Sequence, residues 1–168
     1  MLSMNVQSIN ELDEDTAYGV LLKCCGSETW ARAMAQSRPF ATGDDVAQRA
    51  AEAFEKMNHA DWMQAFGAHP RIGDMASLRK KYENTAEWAN AEQSGVRGTG
   101  DAILRGLAQG NQDYEKKYGH LFIVCATGKS AGEMLEILQQ RLKNDKETEF
   151  ANAAEEQKKI TLLRLEKL

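Results

Sequence analysis

The residue of this chain best placed to handle a proton is His69, in the loop Ala68-His69-Pro70-Arg71-Ile72-Gly73. Pro70 disfavours helical backbone at His69 and removes one backbone donor after it, so the imidazole is presented from a constrained loop. A lone loop histidine is more often merely solvated, and its company decides. In the segment 85–95, Trp88 and Glu92 stand four residues apart and share a face if the segment is helical. With Trp88 buried, Glu92 points inward and needs a cationic or donor partner, which a protonated His69 would supply. The plainer alternative is that Glu92 caps a turn or faces water. Arg164 follows Ile160 by four residues, on the apolar side of the last helix. It is either an inward anion clamp or, more simply from spacing alone, an arginine whose methylenes follow the core while its guanidinium stays in water. Asn111 and Gln157 also fall on inward stripes, as core hydrogen-bonders or ligand contacts.

Other chemistries have less support. His59, His69 and His120 show no metal-ligand spacing with one another or with the cysteines, so no metal site is expected. The string Gly95-Val96-Arg97-Gly98-Thr99-Gly100 neither follows a strand nor matches a phosphate or dinucleotide loop, and reads as a mobile connection between helices. Cys125 lies in an apolar run, where a thiol is usually a small core residue. A hydrolase with Cys125 as nucleophile and His120 as its partner is a weaker enzyme reading.

The elements that must position these groups are helical. The 168 residues suit one domain over 1–168, and 42% hydrophobic with 27% charged residues is ordinary for a globular protein. A net charge of -4 argues against a nucleic-acid partner. Three cysteines, two of them adjacent, fit reduced thiols, and no run approaches a membrane span or a secretory leader. A soluble cytoplasmic protein with no membrane partner is expected. Ser8-x-x-Glu11 and Ser130-x-x-Glu133 have the form of capping boxes, and Thr42 and Thr99 suit helix starts. Gly26, Gly43, Gly67, Gly95 and Gly119 stand where apolar periodicity stops, as turn or left-handed cap positions.

The predicted fold class is all-α, a single-domain compact bundle of about eight helices. Its longest helix is expected over 101–118, where Ile103, Leu104, Leu107, Asn111, Tyr114 and Tyr118 recur at helical spacing. A second stripe runs through Met134, Leu135, Ile137, Leu138 and Leu142. The last carries Phe150, Ala153, Gln157, Ile160, Leu163 and Arg164, with two polar residues in it. Leu121-Phe122-Ile123-Val124-Cys125-Ala126 reads as a buried extended connector, since no second strand is available to pair with it.

In order, Ala68 to Gly73, Glu92-Gln93-Ser94-Gly95, Asn111-x-x-Tyr114-x-x-x-Tyr118-Gly119-His120-x-Phe122-Ile123-Val124, Gly128-Lys129-Ser130, and Arg141-Leu142-x-Asn144-Asp145-x-Glu147-x-Glu149 span most of the chain. With Trp30 and Arg38-Pro39-Phe40 upstream and 160–165 downstream, they resemble the OHCU decarboxylase family, of bacterial type. OHCU is 2-oxo-4-hydroxy-4-carboxy-5-ureidoimidazoline, an intermediate of urate degradation. The resemblance implies an all-helical, cofactor-free carboxy-lyase that forms (S)-allantoin. It also implies His69 as catalytic acid with Glu92 as its partner, and Pro70 and Gln93 lining the pocket. Backbone groups of Phe122, Ile123, Val124, Cys125 and Ala126, with the Arg164 guanidinium, would hold the ring and ureido group. The chain departs from the family pattern at Ala89, a substrate-side position where many members carry serine, and at His120, where an aromatic residue is common. Its ending Glu166-Lys167-Leu168 lacks the small residue of a peroxisomal signal, which suits a bacterial cytoplasm. The resemblance leaves room for a homodimer, since members often form one.

The substrate carries its own electron sink, a ring carbon–nitrogen double bond beside the carbon that loses carbon dioxide, so no cofactor is needed. The competing class is a non-catalytic helical interaction module. The two readings part on whether Glu92, Arg164 and the 122–126 backbone converge in one pocket near His69.

Overall fold

The computed structural model describes residues 4–71, 75–82 and 99–168. Among them are nine helices and no strand: α1 (Val6–Asn10), α2 (Glu14–Cys24), α3 (Glu28–Gln36), α4 (Gly43–Glu55), α5 (His59–Gly67), α6 (Met75–Tyr82), α7 (Thr99–Tyr118), α8 (Ala131–Arg141) and α9 (Lys146–Glu166). The all-α class is thus the one the chain adopts, with nine described helices where about eight were expected. None is long and apolar enough to cross a membrane.

Short polar side chains set most helix starts by accepting from orphan N–H groups of the first turn. Asp13, Ser27, Thr42 and Ser130 do so for α2, α3, α4 and α8. The capping-box expectation at Ser8 and Glu11 is overturned, because Asn5 already caps α1, Ser8 lies inside it and Glu11 follows its end. The reciprocal box is instead Asn58 with Asp61 at the start of α5. The helix expected to begin after Thr99 already includes Thr99, and at 20 residues it is one residue shorter than the 21-residue α9, which is the longest described.

The chain divides into two compact units, one of Met1–His69, Ile123–Cys125 and Ala153–Leu168, the other of Pro70–Phe122 and Ala126–Asn152. In the first, α3 packs on α2, α4 and α5. Trp30, Phe54 and Trp62 form a stack with centroids 5.5 and 5.7 Å apart, and Phe66 lies 6.1 Å from Trp62. Trp30 donates its indole N–H to the Ala50 carbonyl at 3.3 Å, so the polar atom of this fully buried ring is satisfied.

In the second unit α7 packs on α6 and α8. Gly106 and Gly110 let the α8 side chains Leu135 and Leu138 approach the α7 backbone; a Cβ at Gly110 would meet Leu138 at 2.5 Å. Leu104, Leu107, Tyr114 and Tyr118 are buried, while Ile103 and Asn111 are half-buried. Asn111 bonds the Leu107 carbonyl of its own helix at 2.8 Å, so it is a local backbone contact. Glu149, 0% exposed, accepts from Tyr114 Oη at 2.5 Å, Arg141 Nε at 2.8 Å, Asn144 at 2.8 Å and Asn152 at 3.0 Å. Burial pushes its carboxyl pKa up, but these donors and the Arg141 charge outweigh burial and hold it below the usual glutamate value.

Three further expectations change. The inward face of α9 is Glu149, Ala153, Gln157, Thr161 and Leu165, each 0% exposed. Phe150, Ile160, Leu163 and Arg164, expected inside, are half-buried. A polar residue can occupy the core line when partners satisfy it, and three of these five have such partners. Of the glycines read as left-handed and lying among the described residues, only Gly119 has positive φ, at 79°. The 121–126 run forms no strand, but only Ile123 is fully buried, so it is not a buried connector throughout. Without a pairing strand, burying the whole segment would leave main-chain groups unsatisfied.

Candidate active site

His69 is delivered by the last turn of α5. Ala68 N–H bonds the Ala65 carbonyl and His69 N–H the Phe66 carbonyl, both at 3.3 Å, which tightens the helix end before Pro70 halts it. Gly26, just past α2, lies against this turn. A Cβ at Gly26 would collide with the Ala68 Cβ, so glycine permits the close approach that seats the His69 loop.

The imidazole is half-buried, with Nε2 2.6 Å from Gln157 Oε1. Gln157 donates its amide to Thr161 Oγ1 at 3.1 Å, and the Thr161 hydroxyl donates to the Gln157 main-chain carbonyl at 2.8 Å. Burial lowers the His69 pKa below the ordinary 6.5; the Gln157 bond opposes that shift and the nearby Arg164 charge adds to it. The resting ring is therefore biased towards neutrality.

Arg164 Nη1 donates to the carbonyls of Lys23 at 3.3 Å and Cys24 at 3.2 Å, where α2 ends. It satisfies helix-end carbonyls and meets the negative end of the dipole. The guanidinium is thus anchored through Nη1 on the end of α2. His69 and Arg164 line one cavity of about 340 Å³ with Leu22, Lys23, Gly26, Ala65 and Ala68. Among the described residues its permanent charges, Lys23 and Arg164, are both cationic, a lining that suits an anionic small molecule. Burial pushes the Cys24 and Cys25 thiols up to about 11, which leaves them protonated and unreactive near neutral pH.

Of the residues singled out from sequence, His69, Arg164 and Gln157 come together. Ile123, Val124 and Cys125 belong to the same unit but do not line this cavity. Pro70, exposed, and Phe122 and Ala126, half-buried, belong to the second unit. There the Phe122 ring lies 5.2 Å from Tyr114 and beneath the Arg141 guanidinium at 4.8 Å. Ala89, Glu92 and Gln93 lie outside the described residues, as does most of the 95–100 loop. His120 is a core ring against Tyr114, Tyr118 and Phe150, and it donates Nδ1–H to the Leu121 carbonyl at 2.9 Å. Sequence reading missed Lys23 and Thr161, and took Gly26 only as a turn position. The end of α2 was legible from Gly26, but nothing local said that it faces His69.

In sequence, residues 10–166 match the family described as OHCU decarboxylase. The chain is 36% identical over 145 residues to the uric acid degradation bifunctional protein TTL of Arabidopsis thaliana, covering 86% of this chain and 45% of that protein. It is 25% identical to a Bacillus uric acid degradation bifunctional protein, of which it spans 32%. It is also 25% identical to 2-oxo-4-hydroxy-4-carboxy-5-ureidoimidazoline decarboxylase of Haloferax volcanii, covering 98% of this chain and 96% of that one. A crystal structure of OHCU decarboxylase in the presence of (S)-allantoin matches with a TM-score of 0.72 and 34% identity, over 93% of this chain and 97% of that chain.

Proposed function

Since the chain belongs to the OHCU decarboxylase family, we propose that it decarboxylates OHCU to (S)-allantoin, with His69 as the proton-transfer group assisted by Glu92. The observation that carries this reading is a half-buried imidazole and an anchored guanidinium lining one cationic cavity. The substrate is a small anion, and Arg164 with Lys23 supplies the complementary field.

The reaction follows from the substrate's bonds. As the bond to carbon dioxide breaks, its electron pair forms a carbon–carbon double bond, and the carbon–nitrogen π pair moves to the ring nitrogen, which takes a proton. The adjacent hydroxyl then loses its proton as a carbonyl forms, and the neighbouring carbon gains one. One proton is taken from water overall. A neutral His69 can accept the hydroxyl proton and return a proton to one face of that carbon, which sets the S configuration. Glu92 would help to move the same proton. Gln93, Pro70, position Ala89 and the backbone of Phe122, Ile123, Val124, Cys125 and Ala126 would hold the ring and ureido group, as the family resemblance implies.

A positioned acid or base contributes about 10²–10⁴-fold. Freshly generated OHCU should give optically active allantoin with this protein and a racemate without it. His69→Ala should lower the rate by about that factor; wild-type rate and chirality in that variant would remove His69 from the mechanism.

A further inference from the structure

The buried side of the His69 ring is more fully specified than proton transfer alone requires. Nε2 meets Gln157 Oε1 at 2.6 Å, and Gln157 is 0% exposed. The amide could in principle face the ring with either end, but its NH₂ is committed to Thr161 Oγ1 at 3.1 Å. The Thr161 hydroxyl proton is in turn committed to the Gln157 main-chain oxygen at 2.8 Å, which can only accept. Thr161, also 0% exposed, therefore offers the Gln157 amide a lone pair and not a proton. Oε1 is left facing the imidazole, and a carbonyl oxygen there requires a proton on Nε2.

We propose that Thr161 and Gln157 are positioning residues that hold His69 as its Nε2–H tautomer and leave Nδ1 as the nitrogen that exchanges protons with substrate. Among the described residues Nδ1 has no hydrogen-bond partner. The proposal deepens the decarboxylase reading and rests on it for the role of Nδ1. When Nδ1 takes the substrate's hydroxyl proton, the new imidazolium keeps Nε2–H on Gln157 Oε1, so the acceptor that sets the tautomer also supports the charged form. Among the described residues the charged groups that line the cavity with His69 are Arg164 on α9 and Lys23 at the end of α2, both cationic; the Cys25 thiol interacts with Thr161. Gln157 is then the described neighbour whose dipole favours imidazolium against those cations.

The test pairs ¹⁵N NMR of His69 in the substrate-free protein with steady-state kinetics on freshly generated OHCU. In the wild type, Nε2 should show the protonated, pyrrole-like shift and Nδ1 the pyridine-like shift at a pH above the histidine titration. Gln157→Leu should mix the two signals and move the titration to lower pH. It should also reduce kcat by about 10- to 100-fold, the scale of one hydrogen bond to a developing charge, with KM within about twofold. Thr161→Val should mix the signals too, whereas Thr161→Ser, which keeps the hydroxyl, should restore the wild-type ¹⁵N pattern. The threonine pair carries the test should Gln157→Leu fail to fold. A wild-type Nδ1–H pattern, or unchanged shifts and kcat in both Gln157→Leu and Thr161→Val, would overturn the proposal. Failure of the wild-type protein to turn over OHCU while the shifts behave as stated would instead refute the decarboxylase reading.

Discussion

The first turn of α9 and its later turns each bury a polar cluster, and the two are completed to different degrees. Around Glu149, Tyr114, Arg141, Asn144 and Asn152 supply donors to both carboxylate oxygens. Around His69, Gln157 satisfies one ring nitrogen, and the ring lines an open cavity. A saturated cluster has nothing left to offer a ligand and serves the fold. The unsaturated one keeps bonding capacity in reserve, which is what a site requires.

The largest effects should cross between the clusters. Glu149→Ala removes the carboxylate that pairs with the buried Arg141 and should cost about 3–5 kcal/mol of unfolding free energy by denaturant titration, with the folded fraction still turning over substrate. His69→Ala should do the reverse, changing stability by no more than about 1 kcal/mol while abolishing most of the activity. If Glu149→Ala is as stable as wild type, the contrast fails.

Acid should separate the clusters by pH window. Glu149 has its pKa lowered from 4.5 in the fold, so its stabilisation is present above that value and is lost as pH falls through the folded value. His69 is lowered from 6.5, so the unfolded chain binds its proton first and stability begins to fall as pH drops below 6.5. Stability curves should therefore show an early, shallow loss that His69→Ala removes and a later one that it leaves in place.

Gly26→Ala tests how the unsaturated cluster is seated. The added methyl meets a backbone-bound Cβ rather than the end of a flexible chain, so the α5 terminus must shift. A cost of about 1–3 kcal/mol, with a fall in kcat, is expected by thermal unfolding and turnover assays. The smallest effect belongs to Lys23→Ala. Lys23 is exposed, and water screens its attraction, so KM should rise by about twofold to fivefold with kcat unchanged.

These contrasts explain what could be read without coordinates. The proline after His69 announced a presented imidazole, and the helical period announced α7 and α8. The inside of α9 was legible only in part: Ala153 and Gln157 of the expected stripe are fully buried, but the apolar Phe150, Ile160 and Leu163 taken to mark it are half-buried. Its fully buried positions include Glu149, Gln157 and Thr161, which tolerate burial through their partners. For Glu149 and Gln157, partners such as Tyr114 and His69 lie 35 and 88 residues away in the chain, beyond any local pattern. Asn58 and Asp61 escaped for a simpler reason, since a capping box was sought only in its serine or threonine form.

The cationic lining of the His69 cavity also bears on turnover. In the proposed reaction the substrate enters as a carboxylate anion, carbon dioxide leaves as a neutral molecule, and the proton taken up from water cancels the charge left on the ring, so the remaining ligand is neutral. Arg164, held by the carbonyls of Lys23 and Cys24, cannot simply follow it. The fixed charges that draw substrate in therefore lose their hold at the moment of reaction, and release of product is built into the electrostatics of entry.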